Sequence, residues 1–494
     1  MLKIGILLFK KDYYMLKVFR FKISTLLIVL GGMFLSNVAL STQVAKRYTN
    51  LYVYDGASYN SQTWEKTASN VDHVLFGFWS INANGHIYLP EPALDINDNI
   101  AKQDYSIDDA IASFKSNLAK SSMLNKLCNL RISNSNIKFI ISIGGWGGSD
   151  KFSQGFSRPS GRKNFVDDVD KIFNNFQCGD GKKLFTGVDI DWEYPVKRID
   201  FSEKKQTVNP QDTQNLHTLM AYLRARVGQD KIIAMALPHG NDDADGGSIY
   251  NYFIKNNNLS NAQFIENTSF FTIMSYDFMA FAKTTVTNAP LFDTTAGGKQ
   301  TIDMGVQALI KEGVPSGKIS LGIPLYGRAI LYDYNSKYPG KTICISPNEP
   351  QPFAGNYAGI GYTLPPFVDT NGSQPQCAAV WILYQDINVD NLQKSIQYDQ
   401  DVAQYGYYWT TPESNFVKVE LVKGSLADSP NGYFSFDTPD TVTRKVQYVK
   451  DHQLAGISFW EASQDKPYND DTININGTQY YKSLVRTVNK DFNK

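Results

Sequence analysis

Short apolar runs rich in β-branched and aromatic residues recur along the chain. Between them lie longer stretches whose apolar positions fall at i, i+3 and i+4. The strand-like runs cover 51–54, 74–79, 138–143, 187–192, 232–237, 271–276, 319–324 and 456–460, and helical spacing covers 107–130, 162–176, 211–227, 301–311 and 441–452. Alternating strand and helix requires parallel pairing through crossover helices. Eight such units predict an α/β chain closed into a (β/α)8 TIM barrel.

Two stretches break this rhythm. Residues 329–438 are rich in Pro, Gly, Asn and aromatics, among them Tyr357, Tyr362, Phe367, Trp381, Tyr407, Tyr408 and Trp409. A structureless loop of that length is improbable in a compact domain, so an α+β insertion is expected between the seventh strand and the last barrel helix. The barrel would then comprise 47–328 and 439–494, and the insertion would raise one wall of a cleft. At the other end, Lys17, Arg20 and Lys22 precede an apolar run at 23–40 that closes on Ala39-Leu40-Ser41. This pattern predicts a signal peptide over 1–41, with Met15 as an alternative start. The competing reading is an uncleaved membrane anchor, for which a run broken by Ser24, Thr25, Gly31 and Asn37 is marginal.

A secreted or periplasmic chain can keep disulfides, and the four cysteines allow three pairings. Cys128 and Cys178 each follow a predicted helix and precede the next strand, whereas Cys344 and Cys377 share the insertion; the expected pairs are therefore 128–178 and 344–377. The cysteines lack metal-finger spacing and the five histidines form no ligand cluster, so neither a zinc site nor a cofactor is expected. Lys+Arg and Asp+Glu both number 48, which gives no pull toward nucleic acid or anionic membrane and suits a neutral substrate. Aromatic residues make up 13% of the chain, and their flat faces can stack on sugar rings, although core packing accounts for most of them.

The chemistry is concentrated in Phe185-Thr-Gly-Val-Asp-Ile-Asp-Trp-Glu-Tyr-Pro195. On a strand, Asp189, Asp191 and Glu193 share one face while Val188, Ile190 and Trp192 take the other. Inside a barrel those carboxylates cannot all ionise cheaply, so neighbours are expected to share protons and at least one pKa to rise. Glu193 comes last, nearest the C-terminal rim where barrel active sites are built. A structural network or a divalent-metal site would also use such a strand, but no matching carboxylate set occurs on other strands.

This segment resembles the D-x-x-D-x-D-x-E signature of family-18 glycoside hydrolases, the chitinases and endo-β-N-acetylglucosaminidases. Four further segments resemble the family in order: Ser142-Ile-Gly-Gly-Trp146, Met274-Ser-Tyr-Asp277, Gly322-Ile-Pro-Leu-Tyr-Gly-Arg328 and Phe459-Trp460. The likeness runs from about residue 50 to 465. It departs at Thr186, where the family pattern has its first Asp; parity turns Thr186 away from the catalytic face.

The resemblance implies a chitinase acting on β-1,4-linked N-acetylglucosamine oligosaccharides with retention and with assistance from the substrate; the signal pattern adds secretion, and a monomer is expected. Glu193 would be the acid/base, Asp191 would orient the acetamido group, Asp189 would share a proton with Asp191, and Tyr276 would bond the acetamido oxygen. Substrate-binding roles are implied for Ser142, Trp146, Met274, Asp277, Tyr326, Arg328 and Trp460. Two other readings use the same fold: an endo-β-N-acetylglucosaminidase on N-glycans or peptidoglycan, and a lectin-like protein that binds chitin without cutting it.

Overall fold

The computed structural model describes residues 46–493 except 55–62, 90–104, 117–122, 197–207, 241–246, 279–286, 293–300 and 476. Within 335–430 it describes 342–345, 357–359, 362–364, 380–387, 389, 397–399 and 404–409. Eight strands form the barrel: β1 (Tyr48–Tyr54), β2 (His73–Ile81), β3 (Lys138–Gly144), β4 (Phe185–Asp191), β5 (Ile232–Pro238), β6 (Phe270–Met274), β7 (Ile319–Pro324) and β8 (Gly456–Trp460). Each pairs in parallel with the next, and β8 pairs back onto β1, so the sheet closes with no free edge.

Because both faces of each strand are covered, the strands read as almost continuous apolar runs rather than alternating ones. Tyr52, Leu75, Ile140, Ala234 and Phe270 form one cluster inside the barrel. Leu51, Val53, Val74, Phe76, Phe139 and Ile141 point the other way, into the larger core shared with the helices. The predicted helices occur at Pro159–Asn175, Asp212–Val227, Ile302–Lys311 and Pro439–Asp451. The expected helix over 107–130 is two, Ile107–Lys115 and Met123–Ser133, and Ser106 caps the first through its side chain on Asp109 N. Asn258–Asn267, which joins β5 to β6, lacked a clear amphipathic signal because its Leu259 is exposed to solvent.

The stretch after β7 builds an antiparallel sheet. Tyr326–Tyr334 pairs with Thr342–Ile345, Val380–Leu383 and Asn431–Phe436; the last of these pairs with Gln404–Trp409, which pairs with Gln397–Asp399. Where the chain returns to the barrel, the fully buried Lys445 ammonium donates to both oxygens of the fully buried Asp437 carboxylate, at 2.7 and 2.8 Å. Thr438 and Thr441 form a capping box there, with Pro439 in the first turn of the last barrel helix.

Cys128 and Cys178 are joined as expected. Cys377 and the predicted signal segment 1–41 lie outside the described residues. Among the described residues no helix is long and apolar enough to cross a membrane.

The Cys128–Cys178 bond closes a sequence separation of 50 residues; Cys128 lies inside the helix Met123–Ser133 rather than after a helix, and Cys178 follows the end of Pro159–Asn175. Replacing both cysteines with serine is expected to lower the unfolding free energy by about 2–4 kcal/mol, measured by urea denaturation, and reductant is expected to reproduce the loss in the parent protein.

Candidate active site

Three strands bring the carboxylate stack together. Register pairs Ser142 of β3 with Asp189 of β4, and the Ser142 hydroxyl donates to Asp189 Oδ2 at 2.7 Å. Across the barrel interior, the Tyr52 hydroxyl of β1 donates to the same oxygen at 3.1 Å. Asp189, Asp191 and Glu193 are all buried. The β4 ladder stops at Asp191, so Glu193 stands two residues beyond regular strand, toward the rim.

That extension is held by side chains and by glycine geometry. The Ser149 hydroxyl donates to the carbonyl oxygen of Glu193 at 3.1 Å and accepts from its amide at 3.0 Å, standing in for a missing ladder rung. The Tyr252 hydroxyl donates to the Trp192 carbonyl at 2.5 Å, and the Gly145 amide donates to the Asp191 carbonyl at 2.9 Å. Gly144 explains the glycine pair after Ser142. Its φ is +116°, and a Cβ there would lie 1.9 Å from Asp191 O, so only glycine lets the β3 loop close on β4.

The electrostatics follow from this burial. Burial raises the Asp189 pKa to about 6, opposed by the Ser142 and Tyr52 hydrogen bonds. Burial, then the neighbouring Glu193 and Asp189 charges, drive Asp191 well above the usual carboxylate range. Asp189 Oδ1 and Asp191 Oδ1 are buried with no hydrogen-bond partner among the described residues, an arrangement that a proton held within the stack relieves. Tyr276, just beyond β6, is raised by burial and then by Asp191, Asp277, Glu193 and Asp189, so its hydroxyl keeps its proton and can donate.

Of the remaining predicted residues, the Asp277 cluster, Trp460 and Trp146 occupy the rim, and Met274 does not. Asp277 Oδ1 accepts from the Tyr326 hydroxyl at 2.7 Å and from Arg328 Nε at 2.8 Å, and the Tyr276 and Tyr326 rings meet edge to face with centroids 6.1 Å apart. Trp460, at the end of β8, stacks on Phe78 at 5.5 Å and lies 5.6 Å from Tyr52 and 6.1 Å from Tyr54. Trp146 stands on the β3 loop with about half its surface, 51%, exposed. Met274 packs against the core as a half-buried side chain. Thr186 bonds the Phe139 carbonyl at 3.3 Å and takes no part in the stack.

Sequence reasoning missed Tyr52, Phe78, Ser149 and Tyr252. Tyr52 carried a usable signal, an interior-parity polar aromatic on the strand that closes the barrel. Ser149 and Tyr252 act on backbone atoms, which leave no mark in the sequence.

The family model described as "Glycosyl hydrolases family 18" matches residues 48–465. Chitinase 1 of Aphanocladium album is 26% identical over 439 residues, covering 86% of this chain and 82% of its own. The structure of a group IV chitinase from Ostrinia furnacalis superposes with a TM-score of 0.58 at 19% identity, covering 91% of this chain and 100% of that one. A chitinase-like agglutinin from Robinia pseudoacacia superposes with a TM-score of 0.55 at 20% identity, covering 90% and 99%. At these identities the two superpositions speak for the fold alone.

The stack makes folding pH-dependent. A carboxyl raised in the native state binds protons there that the unfolded chain has already lost, so stability is fullest below pH ~4 and falls as pH rises through the native pKa. For Asp189, raised from 3.8 to about 6, the loss is about 3 kcal/mol. Urea unfolding at pH 4, 5, 6 and 7 is expected to show this decline. Asp191→Asn is expected to flatten it and to be more stable than the parent at pH 7.

Proposed function

The chain belongs to the glycosyl hydrolases of family 18, and from that premise we propose that it is a secreted chitinase, cleaving β-1,4-linked N-acetylglucosamine polymers with retention of configuration. The observation that carries this reading is a single carboxylate, Glu193, held at the rim end of a stack whose inner members, Asp189 and Asp191, are buried and raised in pKa. An enzyme with one acid at the rim needs its nucleophile from elsewhere, and an N-acetylated substrate brings one.

In the proposed cycle the Glu193 carboxyl gives its proton to the glycosidic oxygen as the C1–O bond breaks. The acetamido carbonyl of the same sugar bonds to C1 from the opposite face, forming a cyclic oxazolinium ion. Asp191 accepts the acetamido N–H and offsets the positive charge, and the Tyr276 hydroxyl bonds the acetamido oxygen so that it meets C1 in line. Glu193, now a carboxylate, takes a proton from water, whose oxygen bonds to C1 as the C1–acetamido bond breaks. The ring opens with net retention, and the acid is regenerated.

Trp460, backed by Phe78 and the Tyr52 ring, offers a flat apolar floor for the sugar at the cleavage point. Trp146 is exposed on the other side as a platform for the leaving chain. Asp277, oriented by Tyr326 and Arg328, presents its carboxylate beside the reacting sugar. The likeness in sequence to Chitinase 1 of Aphanocladium album favours chitin over N-glycan or peptidoglycan substrates.

A second reading is binding without cleavage, since a chitinase-like agglutinin shares the fold. Release of a fluorescent aglycone from N-acetylglucosamine dimer and trimer conjugates separates the two. The parent protein is expected to turn over, and Glu193→Gln to lose at least ~10²-fold in kcat. Binding of the oligosaccharide with no turnover by either protein would move the chain to the lectin reading.

Ser149→Ala tests the support of the acid. With the Glu193 peptide freed, kcat is expected to fall about 10-fold or more while KM stays within about 2-fold, and Ser149→Thr to restore most of the rate.

A further inference from the structure

Asp277 is tied to the added sheet twice, once by its side chain and once by the main chain behind it. Its carboxylate takes the Tyr326 hydroxyl and Arg328 Nε, both carried on the strand Tyr326–Tyr334. The second tie runs through Ser435, on the strand Asn431–Phe436. The Ser435 hydroxyl oxygen accepts from the Asn288 amide at 2.9 Å, and the Asn288 carbonyl accepts from the Phe278 amide at 3.2 Å. Ser435 and Asn288 are fully buried, and Phe278 is buried with them. Register sets Ser435 directly opposite Arg328. Two cross-strand neighbours therefore reach Asp277 from different sides: Arg328 through the carboxylate, and Ser435 through the main chain of the residue that follows.

The conformation of Asp277 calls for such a hold. Its φ is +64°, in the left-handed region that side-chain-bearing residues rarely adopt, so local preference does not keep the segment in this shape. On the N-terminal side Ser275 fixes the chain, its hydroxyl donating to the Gly322 carbonyl of β7 at 2.7 Å. On the C-terminal side the hold comes from Phe278, whose amide bonds Asn288 and whose ring stacks on His239 with centroids 3.7 Å apart. Asn288 thus has both main-chain polar groups engaged, its carbonyl by Phe278 and its amide by Ser435. Removing the Ser435 oxygen would deprive a fully buried N–H of this acceptor, and the segment would have to shift to recover one.

We propose that Ser435 is a positioning residue for the reaction. Through the main chain of Asn288 and Phe278, this hydroxyl of the added sheet sets the backbone at Asp277 and with it the carboxylate beside the reacting sugar. The proposal rests on the hydrolase reading given above.

The test uses the full chain and its Ser435→Ala, Asp277→Asn and Asp277→Asn/Ser435→Ala variants. The Cys128→Ser/Cys178→Ser protein serves as a control destabilised away from the site. kcat and KM are measured on the trimer conjugate well below each melting temperature. Amide exchange at Phe278 and Asn288 is read by mass spectrometry with residue-level fragmentation, beside Ile273 in β6. Ser435→Ala is expected to lower kcat about 5–10-fold with KM within about 2-fold of the parent. Exchange at Phe278 and Asn288 should speed up at least about 10-fold while Ile273 keeps its protection. In the Asp277→Asn background the same substitution should cost less than about 2-fold, because Ser435 acts through Asp277. The control should keep the parent kcat, which separates positioning from loss of stability.

A parent-like kcat in Ser435→Ala overturns the proposal whatever the melting temperature, and so does an undiminished loss in the Asp277→Asn background. If the parent protein binds the trimer but does not turn over, the hydrolase reading fails separately. Exchange then decides: faster exchange at both amides in Ser435→Ala sustains the hold on Asp277, and unchanged exchange removes it.

Discussion

Burying three carboxylates in one barrel is the constraint around which the rest of this molecule is arranged. Asp189 has two hydroxyl donors, Asp191 has charged neighbours on both sides, and Glu193 is carried past the last ladder bond to the rim. Each step along the strand thus changes the balance between desolvation and compensation. A closed sheet makes this possible because it fixes donors from β1 and β3 against β4 without side chains having to reach from mobile loops. The fold accepts reduced stability above the raised carboxyl pKa values, and what it obtains is a row of acids that cannot all ionise together.

The rim elements answer a second demand, orientation. Glu193 would swing with its peptide if that peptide were free, and Ser149 prevents this by bonding both of its polar backbone atoms. Gly144 and Gly145 let the β3 loop approach closely enough for the serine to reach, so the glycine pair and the serine form one device although they are separated in the chain. Asp277 is fixed in the same manner from the added sheet, through Tyr326 and Arg328. The aromatic and polar groups at the rim are consequently supplied by different parts of the structure, Trp460 by the barrel and Arg328 by the sheet that begins at Tyr326.

Much of this was legible before any coordinates. All eight strands follow from apolar runs, because a parallel barrel buries both faces of every strand and leaves a dense signal. The carboxylate stack follows from period-two parity, with Ser142 and Tyr276 added by family resemblance. Physical reasons also account for what was hidden. The helix over 107–130 reads as continuous because periodicity alone does not mark the break between Lys115 and Met123. Ser149 and Tyr252 grip main-chain atoms, and the polar layer of Asn50, Thr272, Ser320 and Ser458 is scattered over three hundred residues and more, assembled only when the sheet closes.

The way the added sheet joins the barrel bears on how such a molecule can change. Its first strand, Tyr326–Tyr334, starts two residues after β7, and its last, Asn431–Phe436, is followed by Asp437, which is locked onto Lys445. Those two strands pair with each other, so the entry and exit of the whole insertion lie side by side. Sequence between them can lengthen or shorten at a closure cost that grows only logarithmically, about 0.6 kcal/mol for each doubling. The barrel therefore treats the insertion as an exchangeable module, one that can be revised by evolution or by grafting while the carboxylates of β4 stay in place.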